Sequence, residues 1–309
     1  MTRPRAIVLR APGTNCDEET AAAWERAGAI AETWHVGRLI EAPGALDQFQ
    51  ILTIPGGFSY GDDLGAGRIL AVRLGTALGE ALRRFHDRGG LILGICNGFQ
   101  VLTIPGGFSY GDDLGAGRIL AVRLGTALEE ALRRFHDRGG LILGICNGFQ
   151  VLVRGGLLPG GAAPCPATLA RNESGRFEAR WVRLAPRPGL SPFVSFPDPI
   201  ELPVAHGEGR FVVVDPSDLD RRRAAGQIVL NYSDDEGRPT QVYPANPNGS
   251  AGAVAGICDP TGRIFGVMPH PERFVDPWHH PRWTRRGARL APGGDGLRIF
   301  AGAVQFFAG

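Results

Sequence analysis

The chain has no lysine: all 33 basic residues among its 309 are arginine. Without lysine there is no P-loop lysine to reach nucleotide phosphates and no Schiff base on a lysine amine. An ATP-dependent step would need an ATP site of another kind, or another polypeptide. Cysteine is scarce as well. The thiols are Cys16, Cys96, Cys146, Cys165 and Cys258. Their number is odd and no Cys-x-x-Cys occurs, which argues against a disulfide framework and a zinc site. Long apolar runs are missing, so no membrane span is expected, and the short N-terminal apolar stretch reads as a strand rather than a signal core. A formal charge of +2 leaves no footprint for nucleic acid or an anionic membrane. A reducing cytoplasm is the expected setting.

What the chain does have is a repeat. Residues 51–100 recur at 101–150 with two differences, Ile51/Val101 and Gly79/Glu129. Two copies with unrelated flanks do not make a solenoid. The joints share a pattern: Phe49-Gln50-Ile51-Leu52 before the first copy, Phe149-Gln150-Val151-Leu152 at the end of the second. Slippage between these stretches duplicates what lies between them.

Each copy ends in an apolar run that enters Gly-x-Cys-x-Gly, at Gly144-Ile145-Cys146-Asn147-Gly148 in the second. Strand, tight turn and helix in this order form a nucleophile elbow. Small residues two before and two after the cysteine let strand and helix approach, and the helix N-terminus favours a thiolate. A buried core cysteine fits the same stretch, so a base and an orienting acid are needed elsewhere. Val267-Met268-Pro269-His270-Pro271-Glu272 offers both. Prolines stiffen the turn around His270, and Glu272 is spaced to fix the imidazole tautomer. His279 and His280 lie nearby but lack further ligands at metal spacing, so no metal site is expected.

Four motifs occur in order: Pro55-Gly56-Gly57-Phe58-Ser59-Tyr60-Gly61-Asp62, Gly144-Ile145-Cys146-Asn147-Gly148-Phe149-Gln150, Ala205-His206-Gly207-Glu208-Gly209 and Met268-Pro269-His270-Pro271-Glu272-Arg273. Together they resemble the class I (triad) glutamine amidotransferases, and within that class the glutaminase subunits of phosphoribosylformylglycinamidine synthases. The resemblance implies a Cys146–His270–Glu272 triad that hydrolyses glutamine, with Cys96 as the other copy's nucleophile. It implies an oxyanion hole from the Asn147 amide and from Gly57 or its duplicate Gly107, and substrate contacts from Gln150 and His206. It also implies no cofactor in this chain, and ATP with magnesium on a separate synthetase subunit that a small third subunit bridges. Two alternatives stay open: another triad glutaminase or γ-glutamyl hydrolase, and a non-catalytic assembly module disabled by the duplication.

The expected fold is α/β: a doubly wound, flavodoxin-like, mostly parallel sheet with an antiparallel β extension. A single amidotransferase domain over residues 1–309 is expected to carry one surplus fifty-residue copy within 51–150. Strands are expected at 5–10, 30–36 and 51–54, and a closing amphipathic helix at 296–307. Cys146 is expected beside His270. Val151-Leu152-Val153-Arg154 continues its helix, whereas Thr103-Ile104-Pro105 follows Cys96, and proline costs a helix interior about 3 kcal/mol. The surplus, between about 58 and 108, is expected to loop out or pack outside the sheet.

Overall fold

In the computed structural model, residues 3–57, 68–95, 136–137, 139–160, 166–286 and 293–308 are described. One large sheet organises them. Its parallel half is built from β1 (Arg5–Arg10), β2 (Ile30–His35), β3 (Ile51–Ile54), β4 (Leu91–Ile95), β5 (Leu141–Ile145) and β12 (Ile264–Val267). The antiparallel half adds β7 (Glu178–Pro186), β8 (Ile200–His206), β10 (Ile228–Tyr232) and β11 (Val254–Cys258). The order is β2-β1-β3-β4-β5-β12-β11-β10-β7-β8. Its first five strands follow the flavodoxin-like order, with a helix after each of β1, β2 and β3. A separate ribbon pairs β6 (Ala167–Arg171) with β9 (Glu208–Val213).

The strands read as their burial requires. β3, β5, β10, β11 and β12 are buried along their whole length, which is why they are mostly apolar rather than alternating, with Thr53 and Asn231 as polar members. On one face α1 (Asp17–Arg26) and the closing helix (Leu297–Ala308) meet, with Trp24 edge-on to Phe300 at 5.0 Å. α2 (Val36–Glu41) and α3 (Arg68–Asp87) belong to a second apolar cluster with Leu39, Leu46, Leu74, Leu78 and Phe85. Among the described residues no helix is long and apolar enough to cross a membrane.

One expectation fails here. The surplus does not lie wholly outside the sheet. β3 is the expected third strand, paired with β1, but the first copy's β4 enters the sheet between β3 and β5. Identical apolar strands compete equally for a core place, and pairing both buries both. The sheet widens by one strand instead of expelling a hydrophobic segment into water, which is the costlier outcome. Residues 101–135 of the second copy, including Gly107, lie outside the described residues, as do Cys96 and Cys165.

Candidate active site

The β5–α4 junction, with α4 at Asn147–Arg154, holds the first element of the site. Cys146 sits on it with φ 56° and ψ −111°. A positive φ at a residue with a side chain costs of order 1–3 kcal/mol and persists only where surroundings enforce it. Gly144 and Gly148 show how. A Cβ on Gly144 would stand 2.8 Å from the Gly148 carbonyl and 2.6 Å from Leu152 Cδ1. Strand and helix therefore touch where only hydrogen fits, and the turn between them is forced. The Cys146 amide donates to the Val267 carbonyl at 2.8 Å, which ties the elbow to β12.

Three residues beyond Val267, His270 begins a 3-10 turn, Pro271–Arg273. Its amide donates to the Pro203 carbonyl at 2.8 Å. β8, at the far edge of the sheet, thus returns to hold this turn. Cys146, His270 and Glu272 are 4%, 2% and 0% exposed. His270 Nδ1 lies 2.6 Å from Glu272 Oε1. A buried carboxylate offers only acceptors, so Nδ1 carries the proton and donates. Nε2 is then the basic nitrogen, and it is buried with no hydrogen-bond partner among the described residues. Both oriented members expected from the sequence are together, next to the strand that delivers Cys146.

His206 closes β8. Its Nδ1 lies 3.1 Å from Asn172 Oδ1. The Asn172 amide nitrogen is already committed to the Arg176 and His206 carbonyls, so His206 Nδ1 is the donor here too. Nε2 is again a buried acceptor without a partner among the described residues. Burial, then the field of His270, push the His206 pKa down to about 4, which keeps this ring neutral at physiological pH. Gln150, on α4, donates from Nε2 to the Glu208 carbonyl at 2.7 Å, and its buried Oε1 has no partner among the described residues. Gln150 and His206 therefore each present a bare acceptor.

Sequence reasoning missed the residues that brace this wall. Asn248 donates to the Gly209 carbonyl at 2.8 Å and to the Tyr232 hydroxyl at 3.1 Å. Tyr232 is buried, which pushes its phenol well above its usual range, and it also feels the charge of Cys146. Gly209 is packed so tightly that a Cβ would meet the His206 ring at 2.7 Å and Met268 Cε at 2.9 Å. The stretch Asn246-Pro247-Asn248-Gly249 was the available signal. Cys16 occupies a left-handed position at φ 59° before α1. Its thiol is pushed up to about 11 by burial and then by the charge of Glu272. His280 bonds Glu201 Oε2 through Nε2 at 2.9 Å and packs against Trp181, a structural role.

A model of the CobB/CobQ-like glutamine amidotransferase domain matches residues 3–104 and again 100–307. The chain belongs to this family. A phosphoribosylformylglycinamidine synthase subunit PurQ of Dehalococcoides mccartyi is 41% identical over 308 residues, covering 99% of this chain and 98% of that one. The human phosphoribosylformylglycinamidine synthase is 37% identical over 290 residues, 92% of this chain but 18% of the human protein. Among solved structures, a chain of PurLQS from Thermotoga maritima superposes with a TM-score of 0.54 at 27% identity, covering 99% of this chain and 100% of that one.

Proposed function

We propose that this chain is the glutaminase subunit of a phosphoribosylformylglycinamidine synthase, acting in purine biosynthesis in the cytoplasm. The observation that carries the reading is the strained Cys146 elbow hydrogen-bonded to the strand that leads to a buried His270–Glu272 pair, in a chain alike over nearly its whole length to such subunits.

Cys146 Sγ attacks the side-chain carboxamide carbon of glutamine, and His270 Nε2 takes the thiol proton. The Asn147 amide, at the N-terminus of α4, donates to the developing oxyanion. Collapse breaks the C–N bond, His270 returns its proton to the leaving ammonia, and a γ-glutamyl thioester remains. Water, deprotonated by His270, then releases glutamate and restores the thiol. Glu272 holds the imidazole in the productive tautomer and supports its cation. The acceptors Gln150 Oε1 and His206 Nε2 receive N–H groups of the bound amino acid. Ammonia passes to a synthetase subunit that uses ATP and magnesium, and a small third subunit bridges the two. Purification with the synthetase, followed by glutamate release and amidine formation assayed on the complex, tests the reading. A chain that neither binds the synthetase nor hydrolyses glutamine beside it refutes the proposal.

A further inference from the structure

The two copies divide between them contacts that one copy is able to make alone. On the β3 side, the Leu91 amide donates to the Gln50 carbonyl at 2.8 Å, and Arg88 reaches the carbonyls of Leu46, at 3.3 Å, and Asp47. On the β12 side, Cys146 bonds Val267, and His136 Nε2 lies 2.7 Å from Thr261 Oγ1 and 3.0 Å from Asp259 Oδ2. Arg88 and His136 come from the same stretch, Phe-His-Asp-Arg-Gly-Gly, read once at 85–90 and once at 135–140.

Between the copies, each residue faces its own duplicate, from Leu91 opposite Leu141 to Ile95 opposite Ile145. The offset along the strands is zero. Remove either strand, and the other meets β3 in the register of β4 (Ile51 opposite the first Leu) and β12 in the register of β5 (Val267 opposite the last Ile). No other pairing in the sheet needs to slide.

The insertion has a chemical consequence. Both places beside β5 are taken, by β4 and β12. Among the described residues no Pro-Gly-Gly strand therefore flanks the nucleophile. Gly57 follows β3, two strands from β5, a separation of roughly 9.5 Å, with about 40–50° of accumulated twist. It is also held towards β1. Gly57 bridges Thr14, the Asn15 amide donates to the Gly56 carbonyl at 3.0 Å, and a Cβ on Gly57 would lie 2.4 Å from the Gly13 carbonyl oxygen. An oxyanion donor has to stand about 2.7–3.1 Å from the oxygen it stabilises.

We infer that the duplication is an in-register strand insertion that separates the oxyanion loop from the nucleophile, so that Gly57 cannot serve Cys146 and a single-copy chain regains that donor. The inference rests on the glutaminase reading above. Two experiments test it. In the first, residues 51–100 are deleted, joining Gln50 to Val101, so that Gly107 stands where Gly57 stood and Cys146 is retained. Assayed with the synthetase, the shortened chain hydrolyses glutamine about 10²–10³-fold faster than the full chain, the usual effect of one oxyanion donor. Equal rates, or a faster full chain, overturn the inference.

The second experiment needs no activity. Peptides from 91–95 and 141–145 have identical masses, so hydrogen exchange on the full chain reads both strands in one isotope envelope. Two paired strands give a single protected population. Two populations of equal weight, one exchanging fast, place a copy outside the sheet and overturn the inference. If both chains are inactive and no different from Cys146→Ala, the glutaminase reading fails, and the exchange result alone decides whether the strand is inserted.

Discussion

The Cys146 amide donates to the Val267 carbonyl at 2.8 Å, three residues before His270. This bond supports the proposed choice of the second copy's cysteine as nucleophile, because β5 and not β4 lies against β12. Cys146→Ala and His270→Ala are each expected to lower glutamine turnover by more than about 10⁴-fold. Cys96→Ala is expected to leave it unchanged. Turnover assayed with the synthetase checks the set, and a dead Cys96→Ala beside an active Cys146→Ala reverses the assignment.

Glu272→Gln keeps the volume and an acceptor for His270 Nδ1 but removes the charge that supports the imidazolium. Turnover should fall by about 10²–10⁴-fold, the range of general acid–base assistance. The melting temperature should change little beside that of Glu272→Ala. A variant with full turnover sinks the role given to Glu272.

His206 makes stability depend on pH. Its folded pKa, about 4, lies below the ordinary 6.5. The unfolded chain therefore binds the extra proton first as pH falls. The stabilisation is complete above about pH 6.5 and is lost progressively down to about pH 4. The shift corresponds to at most about 3 kcal/mol. Urea titrations at pH 7 and 4.5 should show a smaller pH difference in His206→Asn, whose amide keeps the bond to Asn172. An unaltered difference excludes His206 as its source.

Gly144→Ala tests the close contact at the elbow. The added Cβ meets backbone at Gly148 and a methyl of Leu152, so the strand and helix must separate. A loss of about 1–3 kcal/mol is expected, together with loss of turnover as Cys146 relaxes from its positive φ. Chemical denaturation and the glutamine assay should move together. Turnover that survives the destabilisation shows the strain is not needed.

The isolated chain is expected to be a weak glutaminase that the synthetase stimulates, its glutamine pocket completed by the contact. Steady-state rates with and without the partner check this, and equal rates count against it.

Much of the geometry of the candidate site was legible in the sequence because its signals are local. Gly-x-Cys-x-Gly dictates a tight strand-to-helix turn wherever it folds, and His270-Pro271-Glu272 brings a base and its carboxylate together within three residues. The parallel half of the sheet was legible for the same reason, from short apolar runs ending at glycine and proline. Two features were not. The bracing of His206 by Asn172, and of Gly209 and Tyr232 by Asn248, joins residues far apart in sequence; Asn246-Pro247-Asn248-Gly249 marks a turn but not which groups its side chains reach. The fate of the duplicated strand was also hidden. Sequence established that two identical strands exist, and local propensity made them equivalent. Only the tertiary structure decided that both enter the sheet, because pairing of Leu91 through Ile95 with their own duplicates buries two apolar strands without a register shift.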